Sequence, residues 1–290
     1  LANARLNSHS LRKAKRVGWL ARPAFGGLAA VWAQSQADAD RLRQLGAPVQ
    51  GIFGNLKFDA TPDAALLARG HALRERCVAV GRPVVLLASA REGEEAELLA
   101  ALKQFRPTAA VNPPQGASDL IANGPVQWLI VPRHPQRFDE VEALVRQHGF
   151  SISRRSTWGP DAEPQAADVW LGDSMGEMPL YYGLGSVALL GGSFAPLGGQ
   201  NLIEAAACGC PVVMGPSVFN FQEAADLAAQ AGAAFAVDSM AQGVQQAVAL
   251  AQDTVRGAQV RAAAEQFAAA HRGAALRTAQ AVQDLLGSRG

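Results

Sequence analysis

The sequence predicts a doubly wound α/β chain, and three observations predict it. Short apolar runs recur at 31–33, 49–53, 84–88, 126–131, 169–171, 187–190, 211–214 and 234–237. Several are continuous rather than alternating, as strands covered on both faces are. Segments with helical spacing lie between them at 38–45, 64–76, 93–105, 137–148, 202–208, 222–231 and 240–252, which is the rhythm of parallel βα units. Glycine and polar residues concentrate just after four of the runs, where parallel strands present ligand-binding loops.

The 290 residues make room for two domains. Ala79-Val80-Gly81-Arg82-Pro83 separates a helical segment from a buried run, and Gly and Pro end helices, so a boundary is expected near residue 80. Residues 81–255 then hold six of the runs and residues 1–80 only two, which makes the first domain an incomplete one. Segment 259–286 is Ala-rich, with Leu276, Val282, Leu285 and Leu286 on one edge, and predicts a single long helix within a C-terminal piece, 256–290, packing across the domains. Segment 107–125, with Asn112-Pro113-Pro114-Gln115-Gly116, reads as a surface loop.

Composition narrows the partners. With 26 basic against 25 acidic side chains the net charge is +1, which argues against a nucleic-acid partner. Cys77, Cys208 and Cys210 are too few for a disulfide framework and have no partner set for zinc, so no metal is expected. No apolar stretch reaches the roughly 18 residues of a membrane span. Residues 1–37 carry Arg5, Arg12, Lys13, Lys15, Arg16 and Arg22 without one acid, interleaved with Leu11, Val17, Trp19, Leu20 and Phe25. That pattern suits an anionic membrane surface; the plain alternative is a solvated helix face.

Four loops carry the chemistry. After 84–88, Ser89 and Arg91 stand at the expected cleft, followed by Glu92-Gly93-Glu94-Glu95, whose acids complement a helix N-terminus. After 126–131, Pro132 and Pro135 stiffen a loop that carries Arg133, and guanidinium binds oxyanions bidentately. After 169–171, Gly172-Asp173-Ser174-Met175-Gly176-Glu177 offers backbone amides to an anion or a base edge. After 187–190, Gly191-Gly192-Ser193 and Gly198-Gly199-Gln200-Asn201 lead into Leu202-Ile203-Glu204. This loop predicts a phosphate cradle of backbone amides, with Glu204 placed to accept ribose hydroxyls. No Gly-Lys-Ser/Thr follows, so it is not a Walker loop.

Together with Asn3-Ala4-Arg5-Leu6, Gly54-Asn55-Leu56-Lys57-Phe58-Asp59, Pro132-Arg133-His134-Pro135, Gly215-Pro216 and Phe219-Asn220-Phe221, these loops resemble the 3-deoxy-D-manno-octulosonic acid (Kdo) transferases of lipopolysaccharide synthesis. The resemblance runs from Leu1 to about Gly232. It implies a GT-B glycosyltransferase, two Rossmann-like domains of which the N-terminal one is incomplete here. It further implies an inverting, metal-independent enzyme without cofactor, moving Kdo from CMP-Kdo to a lipid A precursor at the cytoplasmic face of the inner membrane. Carried over by position, CMP contacts fall on Pro132, Arg133, Met175, Gly176, Glu177, Asn201, Leu202, Ile203 and Glu204. Asn55, Lys57, Ser89, Arg91, Gly191, Gly192 and Ser193 are expected to line the cleft or meet phosphate.

Arg91 and Gln200 stand where the family usually has His, and Leu202-Ile203 where it has Pro-Leu; Gln200 keeps a donor but cannot titrate. The resemblance puts the general base and a membrane anchor upstream of Leu1, so this chain alone is not expected to transfer Kdo. Two other readings stay open, a GT-B enzyme using a UDP-sugar and a non-catalytic nucleotide-binding module.

Overall fold

The computed structural model describes residues 1–105, 126–158 and 164–287; the loop expected at 107–125 lies outside the described residues. The chain divides into two compact units, Leu1–Thr61 with Ala268–Gly290, and Pro62–Phe267.

The first unit opens with α1 (Ser8–Arg16) and α2 (Gly18–Gly26), followed by β1 (Val31–Ala33), α3 (Gln36–Arg43) and β2 (Val49–Ile52). Asn7 caps α1 by accepting the Ser10 amide at 2.7 Å, and Ser35 caps α3 through the Asp38 amide at 3.1 Å, as short polar side chains do at helix starts. β1 and β2 pair in parallel, and Ala4 bridges to Ala33 beside them. Leu6, Leu11, Val31, Ala33, Leu42 and Leu45 form their core.

In the second unit α4 (Ala64–Ala79) precedes β3 (Val84–Ala90), α5 (Glu94–Phe105), β4 (Gln127–Pro132), α6 (Phe138–Gln147), β5 (Ile152–Arg154) and β6 (Val169–Leu171). Then come α7 (Met178–Leu184), β7 (Val187–Leu190), α8 (Leu202–Ala207), β8 (Val212–Met214), α9 (Gln222–Gln230), β9 (Ala234–Ala236), α10 (Met240–Gln252) and α11 (Thr254–Ala270). The seven strands lie in the order β5-β6-β4-β3-β7-β8-β9, and every pairing is parallel. Val84, Val85, Leu86, Leu87 and Ala88 are wholly buried, the reason the run is continuously apolar. Burying each such Val or Leu contributes about 1.5–3 kcal/mol.

Two sequence expectations are corrected. The division falls at Thr61/Pro62 and not near residue 80, because α4 is fused to α7 by backbone-to-backbone contact. A Cβ on Gly70 would lie 2.4 Å from the Leu180 carbonyl oxygen, and one on Gly183 2.8 Å from that of Leu67. Arg74 closes the contact with a 3.0 Å hydrogen bond to the Gly183 carbonyl. The long C-terminal helix is two helices, α11 and α12 (Ala274–Gly287), broken at Gly273 with φ +96°, a conformation that ends a helix. Within the first unit Asp59 caps α12 through the amides of Gly273 and Ala275, the latter at 2.7 Å.

Candidate active site

From β3 the chain works outward through β4 to β6 and β5, then returns to the other side of β3 as β7. The carboxyl ends of β3 and β7 therefore flank a topological switch point, where open α/β sheets bind ligands. The loops after β3, β4, β6 and β7 all emerge at that edge. There the two central strands press together: Ser89 sits at φ +56° in a bulge of β3, and a Cβ on Gly191 would lie 2.3 Å from the Ser89 carbonyl oxygen. Gly191 is thus fixed by close approach of backbone.

The glycine-rich loop is not an open phosphate cradle. Three of its amides are taken by Glu94, which is 1% exposed and accepts hydrogen bonds from the backbone N–H of Gly192 at 2.8 Å, Phe194 at 3.0 Å and Ala195 at 3.3 Å. The same carboxylate accepts the Arg91 amide at 2.8 Å. Gly191 donates to Ala88, and Gln200 to Gly191. Ser193, wholly buried, gives its hydroxyl to the Leu190 carbonyl and accepts the Gly215 amide at 2.8 Å. Gly191, Gly192 and Ser193 therefore shape the loop from within. Beside the loop stand Arg91 and Gln200, the side chains nearest to a Cβ built on Gly192 at 3.6 and 3.2 Å.

Pro132 pairs with Ala90 at the end of β4, and the Arg133 amide donates to the Ala90 carbonyl at 2.9 Å. The following turn is held by Glu95, wholly buried, in a bidentate pair with Arg137 at 2.7 and 3.3 Å. Burial pushes the Glu95 carboxyl up although Arg137 opposes it. Arg133 itself is exposed, with no ion pair to its guanidinium among the described residues.

Glu204 lies on α8, whose Asn201 cap accepts the Ile203 amide at 3.3 Å. Leu202 and Ile203 are each 1% exposed, so their side chains belong to the core. Glu204 is half-buried, and its carboxylate has no hydrogen-bond partner among the described residues. Burial raises its pKa, and the charge of Arg133 opposes the rise.

The turn after β6 is braced from β5, a strand that its single apolar residue hid in the sequence. Asp173 accepts from Arg154 Nε at 2.6 Å and from the Ser156 amide at 2.8 Å. Burial works to raise the Asp173 pKa, but Ser156 and Arg154 hold it below the usual range. Glu177 accepts from Arg155 at 2.8 Å and from Ser174, one on each carboxylate oxygen. Met175 is 67% exposed, Gly176 adopts φ +79°, and the amides of Met175, Gly176 and Glu177 have no acceptor among the described residues. Arg154, Arg155 and Ser156 are the site's supports that sequence reasoning missed; the one available signal was two adjacent arginines before a serine.

Asn55 and Lys57 lie in the first unit. Asn55 accepts the Lys57 amide at 3.0 Å to start a 3-10 turn. Desolvation and then the neighbouring charge of Arg5 hold the Lys57 ammonium below its ordinary range. Asn3, at φ +52°, accepts the Leu56 amide at 3.1 Å, which joins the two motifs of this unit. Cys208 and Cys210 are buried free thiols; among the described residues no three His, Cys, Asp or Glu are grouped to hold a metal.

A family model described as 3-Deoxy-D-manno-octulosonic-acid transferase (kdotransferase) matches residues 1–60. The 3-deoxy-D-manno-octulosonic acid transferase of Bordetella pertussis is 43% identical over 99% of this chain and 64% of its own length. That of Haemophilus influenzae is 32% identical over 86% of this chain and 55% of its own. The chain thus spans 64% and 55% of the length of these two relatives. Among solved structures, the C-terminal CMP-Kdo binding domain of WaaA from Acinetobacter baumannii superposes with a TM-score of 0.58 at 30% identity, over 71% of this chain and 98% of that domain. Anabaena Alr3699/HepE in complex with UDP, at 18% identity and TM-score 0.55 over 99% of this chain and 70% of its own, shares the fold. The fold is that of the GT-B glycosyltransferases. By these likenesses and the motifs that both units carry, the chain belongs to the Kdo transferase family.

Proposed function

We propose that the second unit binds CMP-Kdo and that the chain serves an inverting transfer of Kdo, without a metal, to a lipid A precursor in lipopolysaccharide synthesis. The observation that carries this reading is the half-buried Glu204 carboxylate, without a hydrogen-bond partner among the described residues, within the electrostatic reach of Arg133 at the sheet's switch point. A desolvated carboxylate without donors is costly unless a ligand supplies them, and the paired hydroxyls of a ribose do so. The likeness to the Acinetobacter CMP-Kdo binding domain supports the same assignment.

In this reading Glu204 fixes the ribose and thereby orients the donor. As the Kdo–phosphate bond breaks, negative charge gathers on the departing CMP, and Arg133 stabilises it while the sugar becomes oxocarbenium-like. The open amides of Met175, Gly176 and Glu177 meet the base. Titrating the chain with CMP and UDP tests this. Micromolar to millimolar CMP binding, weaker UDP binding and loss in Arg133→Ala and Glu204→Ala are expected; no CMP binding overturns the donor-site assignment.

The acid-free start of the chain supports a second part of the proposal, docking on the cytoplasmic face of the inner membrane. Trp19 is 80%, Leu20 58% and Val17 45% exposed, flanked by Arg12, Lys13, Lys15, Arg16 and Arg22 on α1 and α2. Among the described residues no helix is long and apolar enough to cross a membrane, and an interfacial patch of this kind binds without crossing. Co-sedimentation with vesicles containing phosphatidylglycerol, lost in Trp19→Ala with Leu20→Ala and absent with phosphatidylcholine alone, is the expected outcome.

A further inference from the structure

We infer that Arg155 is a positioning residue that holds the turn from Ser174 to Glu177 and thereby sets which pyrimidine nucleotide the chain prefers, an inference that rests on the CMP reading above. The turn has almost no packing of its own. Met175 is 67% exposed, and a Cβ on Gly176 would meet nothing within 4 Å. Its place is set at its two ends, each by one of two adjacent arginines leaving β5. At the front Arg154 Nε reaches Asp173 at 2.6 Å, and Ser156 adds its amide and hydroxyl at 2.8 and 2.6 Å. Arg154 is itself held from behind by Asp139 at 2.6 Å and Glu142 at 3.0 Å. At the back Arg155 Nη2 reaches Glu177 at 2.8 Å, with its guanidinium 5.6 Å from the centre of the Trp158 ring. Ser174 and Tyr181 complete that corner, since Ser174 donates to Glu177 and also bonds the Tyr181 hydroxyl.

The two ends are not equivalent. Asp173 keeps the Ser156 donors if Arg154 is lost, whereas Glu177 keeps only Ser174 if Arg155 is lost. The back of the turn, next to the open amides of Gly176 and Glu177, therefore depends on one cation. Those amides are fixed donors, and the two pyrimidines differ in what they offer a donor. Ring nitrogen N3 of cytosine accepts a hydrogen bond, whereas N3–H of uracil donates and confronts the amide. A backbone N–H discriminates between them only while held in place, because an unpaired polar group is what penalises the wrong base.

The test measures CMP and UMP affinities of the full chain for wild type, Arg155→Met and Arg155→Lys, with thermal melts and amide hydrogen exchange over residues 173–178. Wild type is expected to prefer CMP. In Arg155→Met we expect CMP binding about tenfold weaker with UMP nearly unchanged, faster exchange at the turn and a melt that stays cooperative; Arg155→Lys recovers part of the preference. An unchanged CMP-to-UMP ratio in Arg155→Met overturns the inference, as does a parallel loss of both nucleotides with a lowered melting temperature, the mark of a merely structural pair. Failure of wild type to bind CMP instead overturns the donor-site reading, and this inference with it.

Discussion

The Glu94 carboxylate accepts the Gly192 amide at 2.8 Å, joining the start of α5 to the loop after β7 at the junction of the two central strands. With the amides of Arg91, Phe194 and Ala195 also bound, an internal anion fills the nest that the glycines form. Glu94→Ala would leave those buried donors unpaired and is expected to cost about 3 kcal/mol or more, measured by urea unfolding. Both carboxylate oxygens accept N–H groups, so Glu94→Gln would turn a donor towards donors and is expected to lose nearly as much.

The Ser89 bulge makes a second pair of predictions. A side chain at Gly191 would collide with rigid backbone, 2.3 Å from the Ser89 oxygen, and Gly191→Ala is expected to lose about 3 kcal/mol. Ser89 itself holds φ +56°, which costs a non-glycine residue roughly 1 kcal/mol. Ser89→Gly is therefore expected to be neutral or stabilising by up to about 1 kcal/mol. A melting temperature lowered by Ser89→Gly would contradict this account.

The central strands were legible in the sequence because burial on both faces makes 84–88 and 187–190 continuously apolar. β5 was not, since an edge strand of three residues, Ile152–Arg154, needs little apolar surface. α7 also escaped notice: Leu180, Tyr181, Tyr182, Gly183 and Leu184 are all buried, so no polar face marks a helical period. Of the proposed site, Arg133 and Glu204 could be nominated from residue type and position after a strand. The fate of the glycine-loop amides was not, because the acceptor that takes them is about a hundred residues away in the chain. The domain division depends on Gly70 and Gly183 meeting backbone, a contact that local punctuation by Gly81 and Pro83 cannot reveal.

Asp59 ties the last helix to the first unit. It accepts the amides of Gly273 and Ala275 at the start of α12, beside Phe58 and His271, whose rings stack at 4.9 Å. Asp59→Ala is expected to cost about 1–2 kcal/mol, as loss of a helix cap does. It should also open the segment after residue 272 to protease while the rest of the chain persists. Equal protease resistance in the variant would show that α12 is held by packing alone.

Glu204 links stability and binding with opposite signs. Burial raises its pKa in the folded chain above the ordinary 4.5, so between the two values the native state holds more protons than the unfolded one. The contribution of Glu204 to stability accordingly falls as pH rises through that window, and above it the ionised, unpartnered carboxylate works against folding. Glu204→Gln is expected to raise the melting temperature at pH 7. The ribose hydroxyls of CMP, however, are best bound by the ionised form. CMP affinity of the wild type should fall as pH drops through the raised Glu204 pKa, at higher pH than an unperturbed glutamate would give. Glu204→Gln should bind CMP about tenfold or more weakly at pH 7 and lack that acid limb. Comparing the two proteins over the same pH range cancels the titration of CMP itself. An identical acid limb in both would remove Glu204 from the ribose, whereas a stabilised variant with weakened, flatter CMP binding would place the carboxylate's cost of burial in the service of the nucleotide.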